Sequence, residues 1–459
     1  MSAVRVPSVS FSLYKNLYFA ETTLKNSNRR AAPLAVAALF LAGAGAAHAD
    51  DSSVAVYGVL DTAVAYIAHA LNFDADHPVS NNPTVTKGTQ PATGLLNGGM
   101  SATRWGIKGQ EDMGGGVKAV FTLESAFNIP SGALSNAALA MSRNTSTGPA
   151  MSADSAISGQ LFSRGAFVGL GSTTMGTLTA GRQQSFFLDN IVTFDPILGS
   201  QAFSPLGFSG SYGGGGFTDD SRVDNSLKYV LPVGAFTLGA LYKFGGVAGS
   251  TSAQSAYELN GVYANGPLSV QLGYEAFKDA LSLTNATGTG TLKATAADTK
   301  AFMLSAKYTW EQTTFRAGFE REEFNNPSNP DSDKLINSVF GIALASAPSV
   351  TAYDNQKTLN VYWLGVQQEF SAGFSVLVGG YHVSQNDFDC PKASASGCSG
   401  SLNYYSIVAD YKFSRRTDSY LGFMESTVSG GPANALIITG TTPAETSNRI
   451  FGLGLRHRF

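Results

Sequence analysis

The stretch Asn448 to Phe459, N-R-I-F-G-L-G-L-R-H-R-F, restricts the possible folds of this chain more than any other. Read as a strand, it puts Arg449, Phe451, Leu453, Leu455, His457 and Phe459 on one face and Ile450, Gly452, Gly454, Arg456 and Arg458 on the other, because side chains alternate with period two. One face is mostly greasy and the other is small or cationic. A soluble sandwich seldom offers two arginines to its core, whereas a strand with lipid outside and water inside takes this pattern.

The rest of the chain from Asp50 onward repeats one unit: a strand of alternating residues, a short turn, a second strand and a longer polar stretch. The hairpin S-A-T-R-W-G-I-K-G-Q, E-D-M-G-G-G, V-K-A-V-F-T-L-E-S-A-F sets Arg104, Gly106 and Lys108 against Trp105 and Ile107, then Lys118, Thr122 and Glu124 against Ala119, Phe121 and Leu123. Asn265-Gly266 marks another tight turn. Lys300 to Trp310 and Asn403 to Phe413 are equally two-faced, and with the closing strand the count is sixteen. Aromatics end the apolar faces at Trp310, Phe370, Phe413 and Phe459 on the turn side and at Tyr66 or Phe127 toward the loops, as in the two girdles of a membrane barrel. Beyond the amino terminus no run approaches the ~20 apolar residues of a spanning helix. The pattern predicts an all-β, sixteen-stranded antiparallel transmembrane barrel.

Residues 1–49 read as an N-terminal extension and export signal, with Arg29 and Arg30 ahead of an apolar run and Ala47-His48-Ala49 as a small-x-small cleavage site. The barrel domain is then 50–459. An exported chain matures in an oxidising compartment, so Cys390 and Cys398 are expected to close a loop disulfide, with free thiols the alternative. The formal net charge of −3 gives no basic excess for nucleic acid.

The segments D-S-S-V-A-V-Y-G-V-L-D, A-T-R-W-G-I-K-G-Q-E-D-M-G-G-G-V-K-A-V-F, R-G-A-F-V-G-L-G-S-T-T-M-G-T-L-T-A-G-R-Q, R-V-D-N-S-L-K-Y and G-L-R-H-R-F resemble the Gram-negative general porins, especially the β-proteobacterial branch. The resemblance implies an outer-membrane homotrimer in which a third loop, here Gln184 to Ser221, folds into the lumen, and in which the terminal Phe459 is the assembly signal. It also implies arginines on the wall, at Arg104, Arg164 and Arg222, facing a loop acid at Asp195. A second loop acid is missing, because Gly199 stands at that position.

By parity Lys108 joins Arg104 on the polar face and Lys118 joins them from the next strand. Asp189 is a further loop candidate. Strict alternation groups Arg164 with Ala166, Val168 and Leu170, so either a bulge turns it inward or that strand carries small residues outside, as a subunit contact would. The plain alternatives are a solvated lumen arginine at 104 and a turn cap ahead of Pro196 for Asp195. No metal-ligand spacing or catalytic relay is apparent, and no cofactor is expected.

The expected function is passive diffusion of ions and small hydrophilic solutes across an outer membrane, with outer-membrane lipid around the barrel and a mild anion preference at the constriction. The alternatives are a substrate-selective anion channel or a non-conducting surface or adhesive barrel.

Overall fold

The computed structural model describes residues 52–70, 90–132, 134, 161–208, 222–278, 280–284, 291–295, 298–325, 328, 338–339, 342–343, 356–387, 399–430 and 446–459. Its strands are β1 Ser53–Ala70, β2 Gln90–Asn97, β3 Arg104–Asp112, β4 Val117–Ala126, β5 Gly165–Ser172, β6 Gly176–Gln184, β7 Arg222–Val233, β8 Phe236–Lys243, β9 Ala256–Asn265 and β10 Leu268–Phe277. After the small hairpin of β11 Ala280–Thr284 and β12 Thr291–Thr295 come β13 Asp298–Trp310, β14 Thr313–Asn325, and the two-residue strands β15 Ser338–Val339 and β16 Ile342–Ala343. The last five are β17 Lys357–Ser371, β18 Phe374–Gln385, β19 Gly400–Lys412, β20 Thr417–Gly430 and β21 Ser447–Arg458.

Seventeen of these strands form one sheet, and β1 closes it by pairing with β21. The barrel nevertheless has sixteen staves. Thr62 to Ala70 of β1 pair with β2, while Ser53 to Val59 pair with β3, so β2 and β3 are two pieces of one stave. Pro91 and Gly94 interrupt the alternation along β2, so the sequence pattern alone does not reveal this strand.

The break between the two pieces has a specific cause. Asp61, on the inward face of β1, is fully buried and accepts from the backbone amides of Gly99 at 3.0 Å, Met100 at 3.1 Å and Ser101 at 2.7 Å. The Tyr420 hydroxyl from β20 donates to the same carboxylate. Three amides spent on one side chain cannot continue a ladder, so the stave folds inward at 98–103.

The outward faces are apolar, as lipid requires. On β13, Phe302, Leu304, Tyr308 and Trp310 are exposed while Met303 and Ser305 are buried; on β19 and just past its end, Tyr405, Ile407, Tyr411 and Phe413 are exposed while Ser406, Val408 and Asp410 are buried. From Phe302 to Trp310 is about 27 Å along the strand, and barrel tilt reduces this to roughly 20 Å of height, close to the ~25 Å apolar band of an outer-membrane barrel. Trp310, Phe370, Phe413 and Phe459 all face outward on the turn side, and Tyr66 does so on the loop side. Phe127 does not join them: it lies past the end of β4, half-buried, in an isolated bridge with Leu134. Among the described residues no helix is long and apolar enough to cross a membrane.

Candidate pore constriction

The loop after β6 turns into the barrel. Ser185 caps the helix α1, Phe186–Phe194, by accepting from the Leu188 amide at 3.1 Å, and Asp189 adds a favourable acid to the first turn. A short helix, α2, Pro205–Phe208, follows.

Small residues on the wall receive this loop. The Phe186 ring fills the space over Gly239, Pro196 lies over Gly365 and Gly379, and Phe203 over Gly422 and Gly452, where a Cβ would collide with each, and Phe187 lies over Gly273, where a Cβ would be tightly crowded. Alternation alone assigns such inward glycines to a wet lumen. Here they are sockets for loop side chains, and the cluster around Phe187, Ile191, Ile197, Phe203, Trp363, Tyr381 and Ile450 is a hydrophobic core inside the barrel.

Polar ties fix the loop between those sockets. The Phe186 amide donates to Glu258 at 2.7 Å, Asn190 Nδ2 to Asn260 at 2.9 Å, Trp363 Nε1 to the Phe194 carbonyl at 3.1 Å, and Ser406 Oγ to the Phe203 carbonyl at 2.6 Å. Ser200 Oγ then reaches the Gly99 carbonyl at 2.7 Å, at the break in the second stave. The loop therefore lies on the inner face of β8–β10, β13, β14 and β17–β21, and among the described residues its ties reach β7 but not the arc from β3 to β6.

That arc carries most of the candidate residues. Glu124 on β4 accepts from Arg164 Nε at 2.6 Å and from the Tyr57 hydroxyl at 2.8 Å, with Arg104 Nε 3.6 Å away. Arg164 escapes alternation because it sits just before β5, where its amide donates to the Glu124 carbonyl at 3.1 Å. Lys228 on β7 donates to Asp189 Oδ2 at 2.7 Å and to the Gln184 carbonyl at 2.8 Å, with its ammonium 4.2 Å from the Phe186 ring centre. Both ion pairs line one niche of about 280 Å³.

Three other wall candidates lie outside the described lining of that niche. Lys108 is exposed on β3 with its ammonium 5.0 Å from the Tyr57 ring centre. Lys118 stands opposite Asp112 and Gly171 at the turn end of β4, about 20 Å along the strand from Glu124. Arg222 is buried at the start of β7, opposite Gln184.

Asp195 departs furthest from expectation. Its side chain is fully buried, with Oδ2 accepting from the Gly199 amide at 2.6 Å and Oδ1 from the Tyr381 hydroxyl at 2.6 Å. Burial pushes its carboxyl up to about 6, against the opposing pull of the Tyr381 and Gly199 hydrogen bonds. The residue caps the end of α1 and locks it to β18, the turn-capping alternative rather than a lumen acid.

Two further residues join the site. Glu124 is visible in the alternation as an acid between two arginines. Arg182 is hidden by a register shift between Gly181 and Gln183, and is buried between the Ser163 carbonyl at 2.6 Å and Asp224 at 2.7 Å. Cys390, Cys398 and residues 1–49 lie outside the described residues.

The closed barrel and the loop folded inside it agree with a family comparison: the model described as Gram-negative porin matches residues 34–431. This chain belongs to the Gram-negative porin family. An outer membrane porin protein of Bordetella pertussis is 26% identical over 449 residues, 92% of this chain and 99% of the relative. Outer membrane porin protein 32 of Delftia acidovorans is 30% identical over 252 residues, 54% and 60% of the two chains. Among solved structures, an anion-selective porin from Comamonas acidovorans superposes with a TM-score of 0.59 at 22% identity, covering 89% of this chain and all of that one. OmpT of Vibrio cholerae gives 0.55 at 16% identity, covering 90% of this chain and all of that one. These two show the shared fold. The porin is an outer-membrane barrel whose water-filled channel allows passive diffusion of ions and small hydrophilic solutes.

Proposed function

We propose that solutes cross this porin between the open side of the inward loop and the wall arc carrying Arg104, Glu124 and Arg164, and that the passage mildly prefers anions. The observation that supports this is the charge balance there. Among the described residues Arg104, Lys108, Arg164 and Lys228 stand against Glu124 and Asp189, a cationic balance, while Asp195 is turned into the wall at Tyr381. Fixed charges in a narrow aqueous gap set the local potential that a permeating ion meets, and selectivity follows that potential and not the net charge of the chain.

The anion-selective description of the Comamonas acidovorans porin agrees with this reading. Reversal potentials in a potassium chloride gradient test it: a potential displaced toward the chloride equilibrium value is expected, and a clear preference for potassium would contradict it.

The porin is further proposed to be a homotrimer. Between Tyr66 and Phe236 no aromatic stands among the large exposed hydrophobics of the described residues, so the girdle thins over β2–β7, where Ala166 and Ala180 also occur. A wall that meets another subunit has no need of a lipid-facing girdle. The Vibrio cholerae OmpT is also described in a trimer form. A heat-modifiable trimer band on a gel is the expected outcome, and a monomer at every detergent concentration would contradict it. Removal of residues 1–49 and a Cys390–Cys398 disulfide belong to the same proposal, and the intact mass before and after reduction tests both.

A further inference from the structure

We infer that the niche between the wall and the start of α1 is a binding site for a small zwitterion, an α-amino acid with an apolar side chain. The inference rests on the passage proposed above, because the niche opens beside it.

The charges in the niche decide the class of ligand. Its described lining carries two ion pairs, Arg164 with Glu124 and Lys228 with Asp189, whose charges sum to zero; Arg104 and Lys108 are not among these residues. A simple anion drawn to Arg164 meets Glu124 beside it, and a simple cation drawn to Asp189 meets Lys228. Attraction and repulsion largely cancel for either one. A ligand bearing both signs escapes this cancellation. Its ammonium is accepted by Asp189 Oδ1, which takes no part in the bond to Lys228, and its carboxylate faces Arg164 across the niche. Asp189 is the most open of the four groups, with 44% of its side chain exposed, and offers the approach from the lumen.

Size and polarity agree with this choice. Phe167 and Val230 give the niche apolar lining beside the charged groups, and Gly165 adds no side chain to it. A volume of about 280 Å³ falls just below the ~300 Å³ at which drug-sized ligand sites begin. A branched aliphatic amino acid fits that description.

Single-channel recording of the intact porin in a planar lipid film, with L-leucine, 4-methylpentanoate or 3-methylbutylamine added at neutral pH, tests the inference. The three probes share one branched skeleton and differ in charge. Leucine is expected to interrupt the current at concentrations at least about tenfold lower than either of the others. Asp189→Asn should bring leucine level with 4-methylpentanoate. Gly165→Val, whose Cβ would find its nearest neighbour in the Phe167 ring at 3.8 Å, should weaken the leucine block by filling the niche without altering any charge. Equal block by leucine and 4-methylpentanoate, or leucine block unchanged in both variants, would overturn the inference. A channel that conducts and ignores all three probes removes the site and leaves the passage standing, whereas a film that stays silent removes both.

Discussion

The Tyr381 hydroxyl donates to Asp195 Oδ1 at 2.6 Å, and this one bond joins the end of α1 to the inner face of β18. It gives the inward loop a titratable anchor. Because burial raises the folded carboxyl to about 6, above its ordinary value near 4, the folded porin binds more protons than the unfolded chain between those two pH values. This group's contribution therefore favours the fold below about pH 4 and is progressively lost as pH rises through 6. Urea titrations in detergent should show wild type losing stability relative to Asp195→Asn across that window. A difference that stays constant from pH 4 to 7 would rule out the assignment.

A second prediction concerns the socket at the far end of the loop. Phe203 is fully buried over Gly422 and Gly452 and lies edge-on to Tyr420, with ring centres 6.3 Å apart. Phe203→Ala leaves a cavity there and is expected to cost about 3–5 kcal/mol, the usual range for a buried phenylalanine. The loop should also loosen, so open-channel current noise should rise along with the lower urea midpoint. Unchanged noise with a lowered midpoint would mean that the polar ties alone hold the loop in place.

The two-faced strands β13, β14, β19 and β21 were legible in the sequence because lipid and water impose opposite demands on neighbouring residues. That same rule failed inside the barrel. Asp61, Gly239 and Gly422 sit at inward positions that alternation reads as wet, but each is covered by a distant segment of chain. Local irregularity hid other features: Pro91 and Gly94 concealed β2, and the shift after Gly181 concealed Arg182. Asp195 was identified as the loop acid from its motif, but its direction depends on Tyr381, 186 residues away.

Charge at the wall arc can be reversed with little damage to packing. Arg104 is more exposed than Arg164 and stands 3.6 Å from Glu124, a longer contact than the 2.6 Å bond of Arg164. Arg104→Glu should therefore leave the barrel folded and move the preference from anions to cations, taking the chloride-to-potassium permeability ratio from above one to below it. A ratio that does not move would place the selectivity outside this arc.

The terminal residue closes the ring. The Phe459 amide donates to the Gly58 carbonyl and its carbonyl accepts from the Gly58 amide, both at 3.1 Å, with its ring against Gly58. Removing Phe459 takes away both bonds at the β1–β21 seam and the exposed aromatic beside them. Yields of heat-modifiable barrel in the outer membrane are expected to fall several-fold, and a normal yield would deny the residue any part in assembly.

The most direct measurement is the current through purified porin in a planar lipid film with no added cofactor or energy source. Discrete, ohmic conductance steps that scale with the conductivity of the bathing salt are expected, since the proposed path is water between the wall arc and the inward loop. A film that remains electrically silent after insertion, or steps that saturate at low salt, would contradict a water-filled passage along that arc.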